Sequence, residues 1–165
     1  MNKRLFIVRH AKSSWNQPEL TDFQRPLNER GKRDVPNMSL RFLEKGYKID
    51  RILSSPAERA ITTAYGFAAR LNINSEEIIQ NESLYHASAF ALRRAIAKTP
   101  NEIDSLMLFG HNPGLTYLIN DISDFNLDNL PTCAVCGIEF NIEQWTSVLK
   151  STGEKFYYDF PKSKP

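Results

Sequence analysis

The stretch Lys-Arg-Leu-Phe-Ile-Val-Arg-His, residues 3–10, decides the fold class. Its run of consecutive apolar residues predicts a β-strand over Lys3–Val8 that is buried on both faces, as strands of parallel sheets are. A secretory signal would lead from such a run to a small-residue cleavage site, whereas this run stops at Arg9 and His10. The stretch therefore predicts the first strand of a parallel sheet.

Strand and helix patterns alternate along the rest of the chain. Further strands are predicted over residues 51–54, 78–81, 105–109, 134–140 and 155–160, the last of them near an edge of the sheet. Helices are predicted over residues 28–45, 55–71 and 88–98, and from 112 onward. This alternation predicts an α/β fold, a three-layer sandwich with a largely parallel central sheet.

Three local features qualify these elements. Pro36 predicts a kink in the helix over 28–45, or two shorter helices, because proline removes a backbone donor and clashes with the preceding turn. Ser55, Pro56 and Glu58 predict a helix start, with the serine as N-cap, the proline at the first helical position and the glutamate closing a capping box. The end of the chain, residues 161–165, is predicted to fray.

The composition predicts a single domain over residues 1–165. A net charge of +2 gives no reason to expect a nucleic-acid or membrane partner, and no apolar run is long enough to span a membrane. Cys133 and Cys136 would point to opposite faces of a strand, so two buried core thiols are expected rather than a zinc or redox site. The default expectations are the cytoplasm and a monomer, with the oligomeric state left open.

Three predicted strands lead into residues suited to binding phosphate: Arg9-His10, Arg59 beyond the Ser55 cap, and Gly110-His111. Ligands of open α/β sheets bind beyond the carboxyl ends of the strands, so neighbouring strands would bring these residues into one crevice. A helix beginning near Asn112 would point its free backbone amides at the same place. Each residue alone has an ordinary structural explanation, but the combination favours an anion site.

The sequence of residues 9–16, Arg-His-Ala-Lys-Ser-Ser-Trp-Asn, resembles the opening signature of the histidine phosphatase superfamily, also called phosphoglycerate-mutase-like. Residues 25–31, 54–60 and 110–114 resemble the later blocks of that family, in the same order. The Ala-Lys-Ser-Ser-Trp form of the first block and Leu-Tyr-His-Ala-Ser at 84–88 look most like the SixA-type phosphohistidine phosphatases.

This resemblance implies a phosphoglycerate-mutase-like fold and a mechanism. His10 would be the nucleophile that takes the phosphoryl group and passes it to water, and Arg9, Arg59 and His111 would complete the phosphate pocket. Asn16 matches a position that assists the phosphate in some relatives. No metal or other cofactor is expected, because the arginines supply the positive charge that phosphoryl transfer needs.

The chain departs from the wider family at the general acid. Larger relatives carry a glutamate in the segment that corresponds to residues 81–88. The best match here is His86, which could equally be an ordinary loop histidine, and Glu82 is a weaker candidate. Because imidazole leaves more readily than an alkoxide, the missing acid favours phosphohistidine as substrate.

Three functions remain open at this point: hydrolysis of phosphohistidine on a signalling protein, hydrolysis of a small phosphate ester by the same pocket, and a phosphate-binding or phosphoprotein-binding module without turnover. The intact set of Arg9, His10, Arg59 and His111 argues against the module, because a binder needs no nucleophile. The short segment between Arg59 and His111 leaves no obvious large lid, which favours a protein substrate.

Overall fold

The computed structural model describes residues 2–163 and has a single six-stranded sheet at its centre. The strands are β1 (Lys3–Arg9), β2 (Arg51–Ser54), β3 (Ile79–Gln80), β4 (Ser105–Gly110), β5 (Val135–Phe140) and β6 (Glu154–Asp159). Their order across the sheet is β3-β2-β4-β1-β5-β6. The predicted edge position of the last strand is confirmed.

The strands β3, β2, β4 and β1 run parallel to one another, whereas β5 is antiparallel to β1 and β6 is antiparallel to β5. The prediction of a largely parallel sheet is therefore confirmed. In this register Arg9 pairs with Gly110, and Ser54 pairs with Phe109. The carboxyl ends of β1, β4 and β2 consequently lie level with one another.

Within the described part of the chain, four α-helices cover the sheet: α1 (Glu29–Glu44), α2 (Glu58–Arg70), α3 (Ala89–Ala97) and α4 (Gly114–Ile122). Apolar residues of α1 and α2 pack with Phe6, Val8 and Phe109 on one face. Those of α3 and α4 pack with Leu5 and Ile7 on the other. Alternate residues of β1 thus enter two separate cores, and the predicted three-layer sandwich is confirmed.

The helix α1 is one uninterrupted helix with Pro36 inside it, so the prediction of two shorter helices is wrong. Pro36 is exposed, as is Lys32 four residues earlier. The backbone carbonyl that loses its donor to proline therefore lies on the solvent side of the helix, where water can replace the bond. No helix within residues 2–163 is long and apolar enough to cross a membrane.

The start of α2 also differs from the prediction. The helix begins at Glu58 with Ala57 at the N-cap position, and no side chain caps it. The hydroxyl oxygen of Ser55 accepts the backbone N–H of Ala57 over 3.2 Å and lies 2.8 Å from Nε2 of His111. Ser55 therefore forms hydrogen bonds within the loop and with His111, and it does not cap α2.

The predicted frayed end is held in place as far as Ser163. The guanidinium of Arg41 on α1 donates to the carbonyl oxygens of Phe160, Pro161 and Ser163 and pairs with the carboxylate of Asp159. Several bonds from one arginine order the segment. Residues 164 and 165 of the predicted frayed segment lie outside the described residues.

Candidate active site

The carboxyl ends of β1, β4 and β2 bring His10 and His111 together, with Arg9 and Arg59 beside them. The backbone N–H of His10 donates to the carbonyl oxygen of Gly110 over 3.1 Å, so the pairing of β1 with β4 continues into the site. The ring centroids of His10 and His111 are 5.2 Å apart. The charges of Arg9 and Arg59 lie close enough to lower the pKa of His10.

His10 is a buried, neutral imidazole with 7% of its surface exposed. Its Nδ1 lies 2.8 Å from the carbonyl oxygen of Ala11, which can only accept a hydrogen bond. Nδ1 therefore carries the ring hydrogen, and Nε2 keeps its lone pair. Burial, and then the positive charges of Arg59, Arg9 and Arg25, lower the pKa of His10 to about 3. The ring is thus unprotonated at neutral pH and keeps the lone pair that a nucleophile needs.

His111 is also buried and neutral. Burial, followed by the neighbouring His10 and Arg59, lowers its pKa to about 3. Nε2 of His111 is the one hydrogen-bond acceptor within residues 2–163 for the hydroxyl hydrogen of Ser55, whose oxygen accepts the N–H of Ala57, so we assign the hydrogen between Ser55 and His111 to the serine. His111 then carries its own hydrogen on Nδ1, which is buried and has no hydrogen-bond partner within residues 2–163.

Arg9 and Arg59 each use only part of their guanidinium group. Arg9 donates from Nη1 to the carbonyl oxygen of Leu130 over 3.0 Å, and Arg59 donates from Nη1 and Nη2 to Asp22. The Nε atoms of both arginines are buried and have no partner in the described part of the chain. Burial and then the charge of Arg59 lower the pKa of Arg9, as expected for two cations held close together.

Asp22, at the start of the 3₁₀ turn Asp22–Gln24, is a central member of this site that the sequence did not predict. Its carboxylate accepts from Nη2 of Arg59 (2.9 Å), from Nε of Arg25 (3.1 Å) and from the hydroxyl of Tyr85 (2.5 Å). Burial acts to raise its pKa, but the hydrogen bonds from Tyr85 and Arg59 and the charge of Arg59 outweigh it. The pKa of Asp22 lies well below its usual range, so the group is ionised.

Arg25 also belongs to the surroundings of the site, although the sequence suggested no role for it. Besides Asp22, its guanidinium binds Oγ of Ser13 over 2.7 Å and stacks 3.5 Å above the ring of Trp15. The block at residues 25–31 contained Arg25, but nothing in that block indicated Asp22, which precedes it. Only the fold brings the two together with Arg59.

This arrangement can bind and attack an anion. A neutral imidazole with an available Nε2 lies among arginines whose charge would stabilise oxygen atoms that gain negative charge in a transition state. Among residues 2–163 no group of three or more His, Cys, Asp or Glu residues is placed to hold a metal ion.

Comparison with known families identifies the superfamily of this chain. Residues 5–89, about half of the chain, match the sequence profile of the histidine phosphatase superfamily, branch 1. The chain belongs to this superfamily. Phosphatase activity is the general function that this membership supports, and the chain's own matching stretch contains Arg9, His10, Arg59 and Asp22.

Several proteins resemble this histidine phosphatase over most of its length. A chloroplastic protein of Arabidopsis thaliana, described as uncharacterized, is 28% identical over 162 residues, covering 93% of this chain and 73% of the relative. The protein histidine phosphatase SixA in complex with tungstate is 21% identical, with a TM-score of 0.81 and coverage of 96% and 97% of the two chains. A mycobacterial glucosyl-3-phosphoglycerate phosphatase is 12% identical, with a TM-score of 0.70 over 94% and 97%.

The two candidates for leaving-group contact lie at different places in this histidine phosphatase. His86 is exposed at the mouth of the site. Its ring centroid lies 3.9 Å from that of Tyr85 and 6.5 Å from that of His111. Its Nε2 lies 3.7 Å from Oδ2 of Asp22. Glu82 is exposed in a 3₁₀ turn. Its backbone carbonyl accepts the N–H of Tyr85, but within residues 2–163 its carboxylate makes no hydrogen bond or ion pair with the residues of the site.

Two asparagines were predicted to bind the phosphate, and within residues 2–163 neither side chain is hydrogen-bonded to Arg9, His10, Arg59 or His111. Asn16 is exposed, and its recorded bond is from its backbone N–H to Oγ of Ser14. The Asn112 amide donates to the carbonyl oxygen of Leu130 and accepts from the N–H and hydroxyl of Thr116. Asn112 therefore ties the first turn of α4 to a loop, and α4 begins two residues later than expected.

Proposed function

We propose that this chain is a SixA-type phosphohistidine phosphatase that transfers a phosphoryl group to Nε2 of His10 and then to water. The observation that carries the proposal is a set of buried N–H groups without partners around a neutral nucleophile: Nε of Arg9, Nε of Arg59 and Nδ1 of His111. Buried polar groups in native proteins are almost always satisfied, so each calls for an acceptor. The oxygens of a bound phosphoryl group would supply them.

The proposed reaction has two displacements at phosphorus. In the first, the lone pair on Nε2 of His10 forms a P–N bond while the P–N bond of the substrate breaks, and the substrate imidazole, already protonated on its other nitrogen, leaves as the neutral ring. In the second, water attacks the phosphohistidine at His10, the P–Nε2 bond breaks, and the proton of water goes to the released phosphate. Arg9 and Arg59 stabilise the phosphoryl oxygens in both steps.

The carboxylate at the site supports phosphohistidine over a phosphate ester. Asp22 touches Arg59 and Tyr85, but the low pKa of its carboxyl leaves it without a proton to give. An alkoxide leaving group needs such a proton, whereas a phosphohistidine ring that is already protonated on its other nitrogen leaves as neutral imidazole, whose conjugate acid has a pKa of about 6.5, and needs no proton from the protein.

The site also has room for a leaving group. A cavity of about 320 Å³ adjoins His111 and is lined by residues that include His86, Ser88, Pro113 and Tyr117. Tyr117 is exposed at its rim. This cavity would accept an imidazole presented on the surface of a partner protein.

The test compares initial rates of phosphate release from a phosphohistidine-containing protein, a phosphoserine peptide and small sugar phosphates, with and without excess EDTA. We expect phosphohistidine to be hydrolysed fastest, without loss in EDTA. His10→Ala should lower turnover by about 10⁴-fold or more, as expected for the central member of a catalytic unit. His86→Ala and Glu82→Gln, the matched controls, should change phosphohistidine turnover only modestly.

Each alternative gives a different result. Preference for esters, with His86 or Glu82 essential, would identify a small-molecule phosphatase. Binding of phosphate without turnover of any substrate would identify a binding module. Comparable activity in the His10→Ala variant would reject His10 as the nucleophile.

A further inference from the structure

The carboxylate of Asp22 and the guanidinium of Arg59 form an ion pair over 2.9 Å, in which the arginine side chain is nearly buried. From this contact we propose that Asp22 is a positioning residue, which holds Arg59 so that its remaining N–H groups face the phosphoryl group. The inference rests on the proposed phosphatase function and assigns a role to a residue outside the predicted catalytic set.

The geometry of the guanidinium carries the proposal. Arg59 donates from Nη1 to the backbone carbonyl oxygen of Asp22 over 2.6 Å and from Nη2 to its Oδ2 over 2.9 Å. These two bonds occupy the outer edge of the planar group, which is formed by the two Nη atoms. Nε, on the adjoining edge, is buried and without a partner in residues 2–163. An arginine has five N–H groups in a fixed fork, so fixing one edge also fixes where the other points.

Asp22 is itself held from other sides, which a positioning residue requires. Nε of Arg25 donates to Oδ1, and the hydroxyl of Tyr85 donates to Oδ2. The ring of Phe23 packs edge to face on Tyr85, with centroids 5.1 Å apart. Arg25, in the same turn, and Tyr85, 63 residues away along the chain, therefore set the position of the carboxylate, and through it the position of Arg59.

A competing explanation makes the opposite prediction. If Asp22 were only a negative charge beside an anion site, its removal would strengthen anion binding, because like charges repel. If it positions Arg59, its removal lets the guanidinium move, and anion binding weakens. The sign of the change in affinity separates the two.

The experiment measures the Kd for tungstate by calorimetry, together with kcat and KM on a phosphohistidine protein. The variants are Asp22→Ala, Asp22→Asn, Arg59→Ala and the Asp22→Ala/Arg59→Ala double variant. Glu139→Ala is the matched control, since Glu139 pairs with Arg4 over 2.9 Å at the start of β1, away from the site. Thermal melts report whether each variant is folded.

We expect Asp22→Ala to raise the tungstate Kd and lower kcat/KM by roughly 10-fold, within the range for a misplaced catalytic group. Asp22→Asn should recover part of this loss, because the amide oxygen can still accept from Arg59. In the Arg59→Ala background, Asp22→Ala should change either quantity by less than about 2-fold, since residues that act through one another are not additive. Glu139→Ala should match the wild type.

Tighter or unchanged tungstate binding in Asp22→Ala, equal losses in both backgrounds, or no tungstate binding by the wild type would overturn the proposal. If Asp22→Ala does not fold, Asp22→Asn and its double variant with Arg59→Ala decide by the same criteria. A wild type that binds tungstate but hydrolyses nothing would refute the proposed phosphatase function, while the binding data would still judge the role of Asp22.

Discussion

His10 and His111 are neutral because the protein interior disfavours the charged imidazole, and the nearby arginines add to that effect. The burial that keeps Nε2 of His10 unprotonated also makes the free energy of unfolding depend on pH. In the unfolded chain both rings would regain the ordinary pKa of about 6.5. Below that pH the unfolded state binds protons that the folded state does not bind until about pH 3.

The free energy of unfolding is accordingly expected to fall as the pH falls from 7 to 5. Because the folded-state pKa of each histidine is lowered, the stabilisation is fully present above pH 6.5 and is lost toward pH 3. Each histidine contributes a loss of about 2 kcal/mol between pH 7 and pH 5. Urea unfolding at a series of pH values measures this loss in the free energy of unfolding.

His10→Ala provides the control for this pH effect. Removing one of the two buried imidazoles should reduce the loss of stability between pH 7 and pH 5 by about half. If the free energy of unfolding of the wild type were the same at pH 7 and pH 5, His10 and His111 would take up protons in the folded protein over that range.

At the level of single elements, α1 contains a destabilising residue at a solvent-exposed position. Pro36 lies in the middle of this 16-residue helix and leaves the carbonyl oxygen of Lys32 without its helical donor. The buried side of α1, which includes Val35, Met38 and Phe42, is unaffected by what occupies the exposed position. The apolar face of the helix is sufficient to keep it continuous.

Pro36→Ala should therefore stabilise the chain by about 1–2 kcal/mol, part of the approximately 3 kcal/mol cost of proline inside a helix. The gain is smaller than this cost because alanine also makes the unfolded chain more flexible, which stabilises the unfolded state. Chemical denaturation of the variant measures the gain, and phosphatase activity should not change.

Pro100→Ala is the matched control for Pro36→Ala, since Pro100 lies in a loop after α3. It should give no gain in stability, because no helical hydrogen bond is restored there. A loss of stability in Pro36→Ala would show that the proline fits α1 without cost.

Across the whole molecule, the sheet separates two cores, and the two cysteines lie on opposite sides of it. Cys133 packs with the core that contains Phe6 and Phe109, and Cys136 with the core that contains Leu5 and Ile7. The predicted burial of both thiols is confirmed. Burial raises the pKa of Cys136 to about 12 and that of Cys133 further above its ordinary value.

Neither thiol should react with a disulfide reagent in the native protein, because the thiolate is the reactive form and both side chains are buried. Both should react once the chain is unfolded in guanidinium chloride. Counting reactive thiols with and without denaturant checks this. Rapid labelling of either cysteine under native conditions would contradict the two-core arrangement.

The amino-acid sequence by itself determined the parallel sheet and the principal residues of the site. An apolar run such as Leu5–Val8 is a local pattern, and the carboxyl ends of neighbouring parallel strands must meet at one edge of a sheet. These two facts predict that His10, Arg59 and His111 meet in one crevice if their strands are neighbours, and the order β2-β4-β1 makes them so. The edge position of β6 also followed from a local pattern.

Only the tertiary structure decided which groups hold those residues in place. The bond from Arg59 to Asp22 joins positions 37 residues apart, and the bond from His111 to Ser55 joins positions 56 residues apart. Local preference even suggested a different role for Ser55, as the cap of α2. Such pairings depend on which loops from separate strands come into contact above the sheet. Short-range periodicity in the sequence predicts single strands and helices, not contacts between distant loops.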